Sequence, residues 1–146
     1  MTGGGETCLS LRALTEEFQA DGIRVGHAAL DAEHQALVDG LAALWLARAD
    51  GATEAALFDR MLAIIRGESD HFRHEEAVLE ALDVPDVEAH RAEHARLIAD
   101  AEVCAEAVRA GKLAVPAFVK TVSSQFLEHL VRYDLAYSDH IAAANG

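Results

Sequence analysis

Hydrophobic residues recur every three or four positions along most of the chain, which is the period of an α-helix that buries one face. No stretch alternates apolar and polar residues as a half-buried strand does. The pattern predicts four long helices, over residues 31–48, 53–82, 86–110 and 116–144. It also predicts a short amphipathic helix over residues 9–19, behind a glycine-rich start.

The boundaries of the long helices carry their own sequence signals. Thr53 is an N-cap residue type, Pro85 separates the second helix from the third, and Gly111 suits the position after a helix end. Short connections make successive helices antiparallel. We therefore predict an all-α protein, an antiparallel up-down-up-down four-helix bundle. Residues 1–146 are predicted to form a single domain, with residues 1–25 as a partly flexible N-terminal extension.

Composition and charge narrow the choice of partners. The chain has 146 residues, of which 51% are hydrophobic, enough to fill one core. Its net charge of −13 disfavours binding to nucleic acids and to anionic membrane surfaces. No apolar run reaches the roughly 20 residues of a membrane span, and no secretory signal pattern is present, so we expect a cytoplasmic protein. Cys8 and Cys104 have no ligand spacing and are interpreted as plain thiols.

The inner faces of the predicted helices also carry residues that can bind metals. Each of two pairs, HxxxE on the second helix and HxxxH on the third, places its side chains on one face, one turn apart. The candidate donors are His34, His71, Glu75, His90, His94, His129 and Asp134. A single inward-facing histidine is usually a hydrogen-bonded core or boundary residue. A set of this size is costly to bury unless its members coordinate something.

The number and type of donors restrict the metal. Five imidazoles and two carboxylates exceed the four ligands of one zinc ion and suit two metals bridged by carboxylates. Imidazole and carboxylate without thiolate favour iron, manganese or zinc over calcium and magnesium. Iron is the choice if the function requires a redox change.

The order of these donors along the chain resembles the hemerythrin family, including the single-domain bacteriohemerythrins. The pattern is one histidine on the first helix, HxxxE on the second, HxxxH on the third and HxxxxD on the fourth, within roughly residues 25–140. The resemblance implies two iron ions, one bound by His90, His94 and His129 and the other by the two remaining histidines. The two carboxylates would bridge the irons together with an oxo or hydroxo group. One iron would be saturated and the other would keep an open position.

The same resemblance implies reversible binding of dioxygen, or of another small diatomic molecule, without enzymatic turnover. The positions predicted to line the ligand pocket are Leu37, Phe72, Leu97, Ile98, Phe126 and Val131. No protonatable group besides the donors is expected where it would drive bound oxygen onward. Two alternatives stay open: a di-iron enzyme acting on dioxygen, peroxide or nitric oxide, and a module that senses oxygen or iron.

The spacing of His129 and Asp134 is awkward for a shared metal site. Five residues along a regular α-helix leave two side chains roughly 140° apart. We therefore predict either a π-type widening of the helix between them or an Asp134 side chain that reaches around the helix flank. Val131 would then lie near the ligand, so that Val131→Ala admits water and speeds oxidation. Among the other polar residues near these motifs, His74 is predicted at the boundary of the site, and His27 and His140 are predicted in solvent. Glu76 is interpreted as a solvated surface acid, with a hydrogen bond from an imidazole N–H as the alternative.

Overall fold

The computed structural model describes residues 24–145, and these residues are almost entirely helical, without a strand. Helix α1 spans Ala28–Ala49, α2 spans Glu54–Ala81, α3 spans Val87–Arg109 and α4 spans Val115–His129. The chain continues through a π-helical turn, Leu130–Asp134, a 3₁₀ turn, Leu135–Tyr137, and a last helix α5, Ser138–Asn145. The predicted all-α class is confirmed. The predicted helix over residues 9–19 lies outside the described residues.

Helices α1 to α4 form a closed ring in which each helix packs against the next and α1 packs against α4. The connections, residues 50–53, 82–86 and 110–114, are too short for the chain to return to the far end of a helix before the next one begins. Neighbouring helices are therefore antiparallel, which confirms the predicted up-down-up-down bundle. Among the helices within residues 24–145, none is both long enough and apolar enough to cross a membrane.

Helix α1 begins ahead of the predicted residue 31 because two side chains fix its first turn. His27 is the N-cap, and its Nδ1 accepts a hydrogen bond from the N–H of Leu30 at 3.3 Å. The Asp31 carboxylate accepts the N–H groups of Val25 at 3.0 Å and Gly26 at 3.2 Å. An acid in the first turn also lies near the positive end of the helix dipole. Together these contacts tie the incoming chain to the helix.

The ends of α2 and α3 follow their sequence signals. The Thr53 hydroxyl oxygen accepts the N–H of Ala56 at 3.1 Å. Gly111 follows α3 with a φ of +76°, a left-handed conformation that glycine adopts without a steric penalty. The predicted bounds of both helices agree with the structure to within about one residue at each end.

The interior of the bundle is divided along its axis into an apolar part and a polar part. Large apolar side chains fill the first: Leu41, Leu44, Met61, Ile64, Phe118, Val119 and Val122. Buried histidines and carboxylates lie toward the starts of α1 and α3 and the ends of α2 and α4. Because neighbouring helices are antiparallel, these four helix ends meet at the same end of the bundle.

Candidate metal centre

The predicted donors converge at this polar end of the bundle. All seven are buried, with at most 7% of any one of them exposed. Their nitrogen and oxygen atoms form two groups, within each of which the atoms lie no more than 4.8 Å apart. The five-donor group consists of Glu75, His90, His94, His129 and Asp134. The three-donor group consists of His34, His71 and again Glu75.

In the five-donor group, imidazole nitrogens surround carboxylate oxygens. The Nε2 of His90 lies 2.7 Å from Oε1 of Glu75 and 3.2 Å from Oδ1 of Asp134. The Nε2 of His94 lies 3.1 Å from the same Glu75 oxygen and 3.1 Å from Nε2 of His129. His129 in turn places Nε2 3.0 Å from Oδ1 of Asp134. Donors bound to one ion at about 2.1 Å lie about 3 Å apart when adjacent, so this spacing suits a single metal ion.

The two carboxylates connect the five-donor group to the three-donor group. The second oxygen of Glu75, Oε2, lies 3.1 Å from Nε2 of His71 and 3.7 Å from Nε2 of His34. The second oxygen of Asp134, Oδ2, lies 3.8 Å from Nε2 of His34. Each carboxylate therefore directs one oxygen toward each group, which is the arrangement of a bridging ligand.

Several of the inward-facing atoms lie close to one another without forming hydrogen bonds. His71 Nε2, Glu75 Oε2 and both carboxylate oxygens of Asp134 are buried and make no hydrogen bond within the described part of the chain. Such atoms are costly to bury unless another partner satisfies them. Most of them lie about 3 Å from imidazole nitrogens or carboxylate oxygens of the other donors but are not aligned for hydrogen bonds. Atoms arranged around a shared cation have this spacing. The donor set therefore fits a pair of metal ions.

The π-helical turn Leu130–Asp134 brings Asp134 beside His129. In a π-helix the backbone hydrogen bond joins residues five apart, so a side chain five positions later returns to nearly the same face. Asp134 is fully buried as a result. The predicted widening is confirmed, and Asp134 does not need to reach around a regular helix.

Acids outside the donor set orient two of the imidazoles. His71 Nδ1 donates to Oε1 of Glu33 at 2.7 Å, and His94 Nδ1 donates to Oε2 of Glu76 at 2.9 Å. A proton held on Nδ1 leaves Nε2 free to bind a metal. The interpretation of Glu76 as a solvated surface acid is therefore wrong and the alternative, a partner for an imidazole N–H, is confirmed, because α3 brings His94 within its reach.

The histidines outside the donor set have separate roles. His74 Nδ1 donates to the second oxygen of Glu33 at 2.7 Å, which confirms its predicted place at the boundary of the site. Burial raises the pKa of Glu33, but its hydrogen bonds with His71 and His74 outweigh burial and lower it. His140 is exposed as predicted, whereas His27 is half-buried because it caps α1.

Without metal, this cluster binds protons strongly. Burial lowers the pKa of His90, but Asp134 and Glu75 outweigh burial and raise it to about 9. The same balance raises the pKa of His129 to about 9. Burial raises the pKa of Glu75, yet the imidazoles that surround it, first of all His129, outweigh burial and hold it well below its usual range. The carboxylates of Glu75 and Asp134 therefore stabilise the protonated form of these two imidazoles. Metal ions bound by the imidazoles would displace the protons.

A cavity of about 290 Å³ lies between α1 and α2 and reaches the three-donor group. His34 and His71 form part of its wall together with Leu37, as predicted for Leu37. Most other wall residues are small or apolar: Ala36, Gly40, Ala43, Ala63, Ile64 and Gly67. A small apolar molecule would therefore find room beside the group that has fewer protein donors.

Two of the predicted pocket residues pack against donor rings and lie outside the wall of this cavity. Phe72 stacks on the His94 ring, with ring centroids 3.9 Å apart and planes 3° apart. Phe126 lies edge-on to the His34 ring at a centroid distance of 5.4 Å. Both side chains are buried, so they hold the imidazoles in place and exclude water around them.

The prediction for Val131 needs correction. Its side chain is 55% exposed and does not belong to the cavity wall. In the π turn, the position two residues after His129 faces nearly the opposite side, so the widening that turns Asp134 inward turns Val131 outward. Of the other two predicted pocket residues, Leu97 is buried in the bundle, and Ile98 lies in a separate groove.

Two buried polar residues near the centre were not anticipated from the sequence. Glu68 belongs to the cavity wall, and burial raises its pKa to about 7. The expectation that no protonatable group besides the donors lies there is therefore wrong. The sequence feature that could have revealed Glu68 is its position, because it is an acid on the otherwise apolar inner face of α2, three residues before His71. Tyr137 is also buried, and burial, followed by Asp134 and Glu75, raises the pKa of its hydroxyl.

Comparison with known proteins agrees with this geometry. The sequence model of the hemerythrin family, described as the hemerythrin HHE cation binding domain, matches residues 25–143. The matched range includes α1 to α4, the π turn and most of α5. No curated protein and no solved structure gives a significant match.

Proposed function

Since the chain belongs to the hemerythrin HHE cation-binding domain family, we propose that its buried donors hold two iron ions and bind dioxygen reversibly. The five-donor group would hold one iron and the three-donor group the other. Glu75 and Asp134 would bridge the ions, together with an oxo or hydroxo group. When bound, the iron pair supplies reversible two-electron chemistry toward dioxygen. The protein would act as a carrier, a store or a source of oxygen, without catalytic turnover.

The observation that carries this proposal is the unequal division of the donors. The five-donor group contains three imidazoles and the three-donor group contains two. If both carboxylates bridged the ions, the second ion would have one protein ligand fewer and would keep room for another. The cavity between α1 and α2 reaches that second group. An exogenous ligand would thus find both a coordination position and a space to occupy.

The surroundings of the cluster support binding of a neutral molecule. The cavity wall is largely apolar, and Phe126 covers the His34 ring. An apolar wall disfavours charged products and does not hinder a neutral diatomic molecule from entering or leaving. Glu33 and Glu76 hold the imidazoles of His71 and His94 so that each Nε2 faces the cluster, where a metal ion would bind.

Iron loading followed by gas exchange tests the proposal. The protein is reduced under argon, exposed to dioxygen and flushed again with argon, while the visible spectrum and the iron content are measured. We expect about two irons per chain and a coloured adduct that fades under argon over repeated cycles. Reproducible binding of a single metal, or zinc retained in preference to iron, would contradict the di-iron centre.

Glu68 favours a second candidate, a di-iron enzyme that acts on dioxygen, peroxide or nitric oxide. A buried carboxylic acid in the ligand cavity can supply a proton, which catalysis uses and simple carriage does not require. Immediate irreversible oxidation in the gas-exchange experiment would support this candidate. Repeated turnover with an added reductant would support it further.

A further inference from the structure

The wall of the cavity between α1 and α2 includes a buried acid, Glu68, that is not one of the seven candidate metal donors. Glu68 is only 5% exposed and belongs to the same wall as His34 and His71. It lies three residues before His71, so the two side chains lie on the same side of α2, about one turn apart. Within residues 24–145, its carboxyl group makes no hydrogen bond and no ion pair, and its oxygens are not completely shielded from solvent.

The neighbours of Glu68 make an acid unexpected at this place. The adjoining inner positions of α2 are buried and apolar, namely Ile64, Ile65 and Phe72. Arg60, the arginine of the cavity wall, is exposed and lies two turns away along the helix. A buried carboxyl group without a partner lowers stability, and an apolar side chain here would not. The position is therefore explained better by a ligand than by packing.

The protonation state of Glu68 fits contact with a neutral ligand. Burial raises its pKa to about 7, although His71 and His129 act in the opposite direction. In the iron-free protein, a large share of the side chain is therefore uncharged near neutral pH. The uncharged carboxyl group has an O–H that can donate a hydrogen bond into the cavity, which a carboxylate lacks.

We propose that Glu68 is a positioning residue of the ligand cavity, whose carboxyl group donates a hydrogen bond to dioxygen held beside His34 and His71 and so prolongs its residence. This role rests on the proposed function. No covalent bond is broken, and the proton stays on Glu68. The residue would thus decide how long the ligand stays, while the metal donors decide whether it binds.

Two substitutions separate the hydrogen bond from the other properties of the side chain. Glu68→Leu removes every polar atom, and the loss of one hydrogen bond should speed dissociation of dioxygen about five- to tenfold. Glu68→Gln keeps an N–H donor of similar reach, and its dissociation rate should stay within about twofold of wild type. Glu80→Leu is the matched control, because Glu80 is an exposed acid on the same helix, outside the cavity wall.

Dissociation is measured by mixing the oxygenated protein with an oxygen scavenger and following the visible spectrum. Each variant is first shown to hold as much iron as wild type. Glu68→Met, which is also apolar, replaces the leucine variant if the latter does not hold iron. The melting temperature of the iron-free protein gives a readout independent of oxygen binding, and it should rise in Glu68→Leu because a buried unpaired acid is removed.

Infrared spectroscopy provides a direct readout on the unmodified side chain. The C=O stretching band of a protonated carboxyl group should be present in wild type, absent in Glu68→Gln, and shifted when dioxygen replaces argon. A band that does not move with dioxygen, or a leucine variant that releases dioxygen at the wild-type rate, overturns the role of Glu68 alone. A wild-type protein that binds no dioxygen reversibly overturns the proposed function as well.

Discussion

Replacing Glu75 with alanine removes the carboxylate that the donor histidines surround. Its oxygens lie between 2.7 Å, to Nε2 of His90, and 3.9 Å, to Nε2 of His129, from the five imidazoles. One oxygen faces the five-donor group and the other faces the three-donor group. The substitution therefore tests whether the two groups form one bridged centre.

The expected loss of stability follows from the burial of these contacts. Removing one partner of a buried charged pair costs about 3–5 kcal/mol, and Glu75 is fully buried. For a chain of 146 residues, each kcal/mol lowers the melting temperature by about 2–4 °C, so the iron-free variant should melt about 10 °C lower. The five-donor group would keep four donors and the three-donor group only two. Iron content should therefore fall from about two ions per chain to one or none.

Metal analysis after anaerobic loading and desalting gives the iron content, and circular dichroism gives the melting curves of iron-free and loaded protein. Glu80→Ala is the matched control on the exposed side of α2, and it should stay within about 0.5 kcal/mol of wild type. Glu75→Gln keeps the volume of the side chain but removes its charge, so it should also lose iron. If Glu75→Ala retains two irons and an unchanged melting curve, Glu75 is no bridge and the reasoning fails.

Three further outcomes are expected. In the iron-free protein, the pKa values of His90 and His129 are raised from 6.5 to about 9. Because folding raises these pKa values, the two histidines stabilise the folded protein fully below pH 6.5, and this contribution is lost as the pH rises through about 9. Melting curves should show this decline in the iron-free protein and a much flatter profile after iron loading, because metal ions replace the protons. Val131→Ala should change the free energy of unfolding by no more than about 0.5 kcal/mol and leave the rate of oxidation by air unchanged, because the side chain is largely exposed. Faster oxidation would show that Val131 lines the ligand pocket after all. Gly67→Ala should stabilise the protein by up to about 1 kcal/mol, since a Cβ there meets no atom within 4 Å, and urea unfolding measures the change; a loss of stability would show that the helix needs this glycine.

The helices and the convergence of the donors were predictable because both depend on local spacing. A repeat of three to four residues defines the buried face of a helix, and the HxxxE and HxxxH spacings keep each pair of donors on that face. Short connections then bring the starts of α1 and α3 to the ends of α2 and α4. Neither step needs knowledge of contacts between side chains.

The acids around the centre were harder to predict, because their roles depend on which residue a neighbouring helix presents. Glu76 follows Glu75 directly, about 100° around the helix, and its position alone is compatible with solvent. Only the packing of α3 against α2 brings His94 Nδ1 to 2.9 Å from its carboxylate. Glu33 likewise receives both of its hydrogen bonds from histidines of α2, 38 and 41 residues later in the chain.

The segment after His129 shows how a correct prediction of backbone geometry can still misplace a side chain. The five-residue spacing to Asp134 predicted either a π turn or a side chain that reaches around the helix flank, and the structure contains a π turn. The same extra residue changes the direction of every side chain within the turn, so Leu130 is fully buried while Val131 is exposed. It also sets the direction of the residues that follow, and Tyr137 and Ile141 both return to the core. The π turn therefore serves two purposes, because it aligns a carboxylate with His129 and it directs Tyr137 and Ile141 into the core. A deletion within Leu130–Asp134 that restored a regular helix would misdirect both the carboxylate and these two core side chains.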